Sequence, residues 1–455
     1  MNLPLNSAVA RDIAHHIHPQ TNLVRLKEEG PLVIARGEGI RVFDEAGNAY
    51  IETVAGLWCA SLGFASERLA RVAYEQMRKL GFYHTFRQRG SEPSIDLAEK
   101  LLAIAPVPMS KVVFQCSGSE ANDTAIKLVW YYNHALGRPE KKKIIGRKKG
   151  YHGSTIAAVS LSGKPDMHQD FNLPLPGFLH ADCPHHYRYG LPGESEEEFA
   201  SRMAQSLEQL ILAEGPETVA AFFAEPVMGA GGALVPPRTY FDKVQAVLRK
   251  YDVLLVADEV ICGFGRTGNM WGSTTFGLRP DMITCAKALS AAFQPISAVL
   301  VSEPIYQAML KESEKLGSFA HGYTHAGHPV AAAVALETLR IYEEDDIVGH
   351  VREVGPRFLE GLERLGQHPL VGEVRGVGLT CGMEIVADKA GKQSFPAALK
   401  LPQRLETIGR QHGLILRTVG DRLAFSPPLI ITAAEIDELL QRLQATLDDL
   451  AAEIL

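Results

Sequence analysis

The sequence predicts an α/β protein: a mostly parallel sheet with helices on both faces, followed by a smaller α+β region. Two observations lead there. Short apolar runs with strand character alternate with helical patterns from about Glu67 to Val301, the pattern of a sheet wrapped by crossover helices. In two of those runs, VLLVADEV (Val253–Val260) and DMITCAKAL (Asp281–Leu289), a charged residue, Asp258 in the first and Lys287 in the second, ends an apolar stretch. An ionisable group is costly in that position unless it is paired or in use, and strand ends in open α/β sheets face the ligand crevice.

In chain order, GPLVIARGEGIRVFDEAGNAYIET (Gly30–Thr53) alternates apolar and polar residues around turn signals at Gly37–Gly39 and Asp44–Asn48, which predicts a small antiparallel sheet. Strands are then expected at Lys111–Cys116, Lys143–Lys148, Ala220–Val227, Val253–Asp258 and Met282–Lys287, with helices such as Glu120–Leu136 and Tyr240–Tyr251 between them. The link from Lys287 to the apolar run Ile296–Val301 is too short for a helical crossover, so one strand should be antiparallel. A helix begins near Pro329, and Gly372–Val386 reads as strands. The C-terminal segment starts with the capping-box pair Thr432 and Glu435, and Ile436, Leu439, Leu440, Leu443 and Leu447 mark one helical face.

A chain of 455 residues, 46% hydrophobic and 22% charged, can bury a large core and is expected to form two or three domains. Its net charge of −7 gives no reason to expect nucleic acid. The one basic run, Lys141–Lys143 with Arg147, Lys148 and Lys149, reads as solvated surface. Six scattered cysteines without a Cys-x-x-Cys pair suit reduced thiols. The N-terminus lacks the pattern of a secretory leader, and no apolar run is long enough to span a bilayer, so a cytoplasmic protein that does not engage membranes is expected.

Two glycine-rich segments compete as anion sites. GFGRTG (Gly263–Gly268) fits a dinucleotide-binding pattern, but the residues after it lack helical periodicity, so no helix N-terminus would receive a pyrophosphate. In CSGSEANDTAIKLVWYY (Cys116–Tyr132) a strand runs into Ser117, Gly118 and Ser119 and then into a helix, whose first amides favour an anion. The same serine could instead be an ordinary N-cap. His321, His325 and His328 fall at i, i+4 and i+7, but Gly322, Gly327 and Pro329 break the helix that would align them, and Cys183, His185 and His186 lack a fourth ligand at usual zinc spacing, so no metal is expected.

The segments SGSEANDTAIKL, YHGST, AEPV, LLVADEVICGFGRTG, the Lys287 segment, GYTHAGHP and GDRLAFSPPL, taken in order, resemble the class III, fold-type-I pyridoxal-phosphate aminotransferases. The likeness runs from about Trp58 to Ile430 and is nearest to the ω-transaminases, which exchange amino groups between primary amines or ω-amino acids and pyruvate. It implies a seven-stranded large-domain sheet, with residues 1–60 packing against a small domain at 329–455 and the cofactor domain at 61–328. Pyridoxal 5'-phosphate would be the cofactor, with pyridoxamine phosphate formed on the way.

The resemblance also implies residue roles. Lys287 would form the Schiff base and move the proton, which needs a neutral amine well below its ordinary pKa of about 10.4. Asp258 would keep the pyridine nitrogen protonated so that the ring accepts electrons. Val260 and Tyr151 would pack on the two ring faces, His152 and Glu225 would support that arrangement, and Ser117, Gly118 and Ser119 would hold the phosphate. Thr324 would reach the phosphate from the partner subunit of a homodimer.

For substrates, the resemblance implies an amine donor and a keto-acid acceptor in a pocket shaped by Leu57, Trp58, Phe86 and Tyr151. Arg417 matches a mobile arginine that swings in for carboxylates and out for apolar groups. Ala291, Ala292 and Phe293 depart from the family pattern of small polar residues, glycine and tyrosine, as do His325 and Ala326 near Thr324. The expected reaction is ping-pong transamination. An aminomutase or decarboxylating aminotransferase on the same scaffold, and a non-catalytic cofactor-binding protein, are the alternatives.

Overall fold

The structure, a computed structural model, describes residues 6–455. The first five residues, where the reading of no secretory leader begins, lie outside the described residues. The alternating segment Gly30–Thr53 becomes three short antiparallel strands: β1 (Ile34–Glu38), β2 (Arg41–Asp44) and β3 (Ala49–Glu52). Asp44 closes the second turn by accepting from the amides of Ala46 and Asn48 and from the Tyr50 hydroxyl.

The central sheet has seven strands: β4 (Lys111–Gln115), β5 (Lys143–Arg147), β6 (Phe178–Ala181), β7 (Val219–Ala224), β8 (Leu254–Asp258), β9 (Met282–Cys285) and β10 (Ser297–Val301). Their order is β4-β10-β9-β8-β7-β5-β6. The strands from β9 to β6 in that order pair in parallel, and β10 runs antiparallel to both β4 and β9, as the short link after Lys287 requires.

Adjacent residues of the central strands point to opposite layers. Phe222 and Leu255 pack with Phe199, Leu207 and Phe241, while Phe223 and Val256 pack with Ile126, Val129 and Ile305. Burial on both faces explains why these strands are continuous apolar runs rather than alternating ones.

Two findings differ from the sequence reading. The edge strand β6, four residues with a histidine at its third position, was not anticipated from the residues. The basic run is also only partly solvated. Lys141 and Arg147 are buried, Lys141 donating to the carbonyls of Pro216 and Tyr251 and Arg147 to that of Glu225. These cations cap carbonyls at chain turns, whose desolvation would otherwise be costly.

Beyond the helix Pro329–Glu344, β11 (Val371–Val377) and β12 (Thr380–Ile385) form a hairpin. After β13 (Leu414–Ile415), β14 (Arg417–Val419) and β15 (Arg422–Phe425) extend that sheet to β11-β12-β15-β14. β13 instead pairs in parallel with β3, through Leu414 with Ile51 and Ile415 with Glu52. The final helix, Ala433–Ile454, starts with both arms of the Thr432/Glu435 capping box and buries its predicted apolar face. No helix among the described residues is long and apolar enough to cross a membrane.

Candidate active site

At the C-terminal ends of β8 and β9 lies a cavity of about 350 Å³, lined on different sides by Ser117–Ser119, Tyr151 and His152, Glu225, Asp258 and Val260, and Lys287. Asp258 is 3% exposed and both of its carboxylate oxygens are hydrogen-bonded, with acceptor capacity left on Oδ1. Oδ2 lies 2.8 Å from Asn122 Nδ2 and 2.8 Å from His152 Nδ1, and Oδ1 accepts from the Val260 amide at 3.1 Å. Asn122 is itself fixed, donating to the His152 carbonyl at 2.6 Å and accepting from Thr284 Oγ1 at 3.0 Å. Neither Asn122 nor Thr284 was singled out from sequence. The available signal was a polar residue one helical turn beyond Gly118, on the face that meets the sheet.

Glu225 is buried beneath this group. Its Oε1 accepts from the Tyr151 amide at 3.1 Å and its Oε2 from the Gly229 amide at 3.0 Å. Burial raises its carboxyl above the usual range, with His152 opposing that rise and Asp258 adding to it. Glu225 therefore holds the turn that carries Tyr151 and His152.

The opposite end of the cavity is the start of the helix Gly118–Ala135. Ser117 is its N-cap, its hydroxyl accepting from the Glu120 amide at 3.2 Å, while the Glu120 carboxylate accepts from the Cys116 amide at 2.8 Å. The N-cap reading and the anion reading are compatible, since the amides of Gly118 and Ser119 at the first two helical positions have no intrahelical acceptor. Gly118 packs so closely that a Cβ there would fall 2.9 Å from Val260 Cγ1. Gly153 has φ +140°, and a Cβ on it would meet Ser119 at 2.6–2.8 Å, so the two cavity walls approach only because both positions are glycine.

Lys287 follows β9 in a tight turn with φ +50°, and Ala291 (+48°) and Ala292 (+69°) repeat the left-handed conformation. Its side chain projects into the cavity. Burial lowers its ammonium pKa, opposed by the charges of Asp258 and Glu225. An amine so placed is more available in its neutral form than a surface lysine.

The remaining residues predicted to contact substrate, and Thr324, predicted to reach the phosphate, lie at the cavity's margins or away from it. Trp58 is buried against Tyr151, Ile261, Ala230 and Ala424, and Arg417 Cζ stands 5.8 Å from the centre of its indole ring. Arg417 Nε is buried without a hydrogen-bond partner. Leu57 is exposed on the same loop. Phe86 and Thr324 are not brought to this chain's cavity: both are exposed, and Phe86 lies against Gly322, two residues before Thr324.

A planar anionic cofactor with a phosphate fits these residues. The Asp258 carboxylate stands at one end, unfilled helix-start amides at the other, and Lys287 faces the space between. His152 Nε2 is a further buried polar atom at this site without a partner.

Comparison with known proteins agrees with this geometry. Residues 25–447 match the family model described as aminotransferase class-III. A mitochondrial gamma-aminobutyrate transaminase 1 of Oryza sativa subsp. indica is 54% identical over 411 residues, covering 90% of this chain and 80% of that protein. The crystal structure of an omega transaminase from Pseudomonas jessenii in complex with PMP is 53% identical, with a TM-score of 0.97 over 98% of this chain and 99% of that one. A transaminase solved with L-ala is 55% identical, with a TM-score of 0.92 over 93% of this chain and all of that one, 100%.

Proposed function

Because the chain belongs to the class-III aminotransferases, which are pyridoxal-phosphate-dependent enzymes of fold type I, we propose that it moves an amino group from a primary amine or ω-amino acid to pyruvate, or to another keto acid or aldehyde, by a ping-pong mechanism. The observation that carries the substrate reading is Arg417 standing over Trp58. A cation with an unpartnered buried Nε beside an aromatic wall can take a carboxylate in one half-reaction and leave apolar surface for an amine substituent in the other. The relative solved with L-ala supports pyruvate as acceptor, since alanine is its amination product.

Bound in the cavity, the cofactor supplies an electron sink for the substrate carbon that loses its proton. Lys287 would hold and move that proton, its neutral form favoured by burial. Asp258, kept oriented by Asn122, His152 and the Val260 amide, would face the ring nitrogen. Gly118 and Ser119 would take the phosphate on their amides, Val260 and Tyr151 would bound the ring, and Glu225 would hold the Tyr151 turn.

We assign residues 61–328 as the cofactor-binding domain, with 1–60 and 329–455 packing together beside it, an arrangement supported by the pairing of β13 with β3. The active unit is proposed to be a homodimer. Phe86 and Phe82, both exposed, lie against Gly322 and His325 on either side of exposed Thr324 in sequence, and on this reading Phe86 and Thr324 are supplied to the partner's site. Product analysis tests the reaction: a transaminase yields one alanine per amine consumed with pyruvate and releases no carbon dioxide, whereas decarboxylation or intramolecular migration would give carbon dioxide or no alanine.

A further inference from the structure

The loop that carries Leu57 and Trp58 is strained. Ala55 (φ +48°), Gly56 (φ +72°, ψ −95°) and Trp58 (φ +61°) are all left-handed within four residues, and two of them are not glycine. Such backbone persists only when its surroundings over-determine it. Part of the constraint is local, through Trp58 N to Val54 O at 2.8 Å and Cys59 N to Ala55 O at 3.0 Å. A further tie comes from Glu52 at the end of β3, which is 5% exposed and accepts a hydrogen bond from the Gly56 amide.

The Trp58 indole packs on one side of the loop, while the Gly56 side faces open space. Gly56, Cys59 and Ala60 border a largely apolar cavity of about 600 Å³, with Ala292 and Phe293 opposite and Glu52 at its wall. Glu52 also lies where the loop is joined to β13, two residues before Arg417. Its backbone pairs with Ile415, and the next residue, Thr53, donates through both its amide and its hydroxyl to the Ile415 carbonyl, at 3.2 and 2.7 Å.

We propose that Glu52 is a positioning residue for substrate selection: its buried carboxylate fixes the Val54–Cys59 loop and thereby the distance and tilt of Trp58 relative to Arg417. The inference rests on the transaminase reading of the neighbouring cavity. Glu52 is not among the residues that line the cofactor cavity, and its hydrogen bond acts on the loop. Burial pushes its carboxyl up to about 7, against the amides of Gly56 and Val54 and the charges of Arg266 and Arg417. An acceptor oxygen persists in either protonation state, so glutamine is a fair replacement.

The test compares wild type, Glu52→Ala and Glu52→Gln, all loaded with cofactor, in the amine half-reaction with an arylalkyl primary amine and with a small aliphatic amine. Glu52→Ala should raise KM for the arylalkyl amine by about tenfold while changing kcat/KM for the small amine less than about threefold, and Glu52→Gln should restore most of the difference. The visible cofactor band should be unchanged in both variants. Equal losses for both amines, or no change for either, would overturn the inference alone. A cofactor-loaded wild type inert toward both amines would overturn the transaminase reading and this inference with it.

Discussion

Asn122 Nδ2 stands 2.8 Å from Asp258 Oδ2 and 2.6 Å from the His152 carbonyl, so one amide ties together β8, the Tyr151 turn and the helix whose start faces the other end of the cavity. The carboxylate expected to face the cofactor ring is therefore held by the same element expected to hold its phosphate.

Replacing Asn122 by alanine should leave the Thr284 hydroxyl and the His152 carbonyl without their partner, at a cost of about 2 kcal/mol in stability. It should also weaken cofactor retention, measured by dialysis followed by absorbance. Full retention with unchanged stability would mean that Asp258 is oriented by His152 and the Val260 amide alone.

Arg417→Ala should raise KM for pyruvate by about 10- to 100-fold, the worth of a charge-assisted carboxylate contact. Steady-state kinetics with an aldehyde acceptor lacking a carboxylate should change far less. Equal losses for the two acceptors would remove the switching role of Arg417.

Ala292 adopts φ +69° at a position where the resembling family commonly has glycine. Ala292→Gly should stabilise the protein by about 1 kcal/mol, since relief of left-handed strain exceeds the added entropy of the unfolded chain. Thermal unfolding of the loaded protein measures this, and a lower midpoint would show that the methyl group's packing outweighs the strain.

Glu259 gives a pH dependence with a definite sign. Its carboxylate is buried, accepting from the amides of Gly272 and Ser273, and burial pushes its pKa up to about 7 from an ordinary 4.5. Between those values the folded state binds more protons than the unfolded one, so stability is highest below about 4.5 and falls as pH rises towards about 7. The loss is about 3 kcal/mol, at about 1.36 kcal/mol per tenfold in proton affinity. Denaturant unfolding at several pH values should show Glu259→Gln gaining on wild type over that window. Parallel curves would mean that Glu259 is ionised throughout.

Much of this arrangement is legible in the residues because it is local. Asp258 and Lys287 stand out as charges at the ends of apolar strands, and the short link before Ile296 forces β10 to be antiparallel. Lys141 and Arg147 were misjudged because the carbonyls they satisfy belong to Pro216, Tyr251 and Glu225, distant in sequence. Asn122 was passed over for the same reason, its partner lying across the sheet in register with Thr284. The strand β6 escaped because four residues at a sheet edge carry too little periodicity to be told from loop. The strained Trp58 loop has no sequence signal beyond Gly56, since its other left-handed residues are alanine and tryptophan.

The central claim, that Lys287 and Asp258 serve one amine-exchanging cofactor site, is tested most directly by the visible absorption of the purified, cofactor-loaded protein. A primary amine is added first and pyruvate afterwards. A band near the lysine-bound cofactor's absorption that the amine bleaches and pyruvate restores, absent in Lys287→Ala, is the predicted result. A band indifferent to amines, or one that amine bleaches and pyruvate fails to restore, would contradict it.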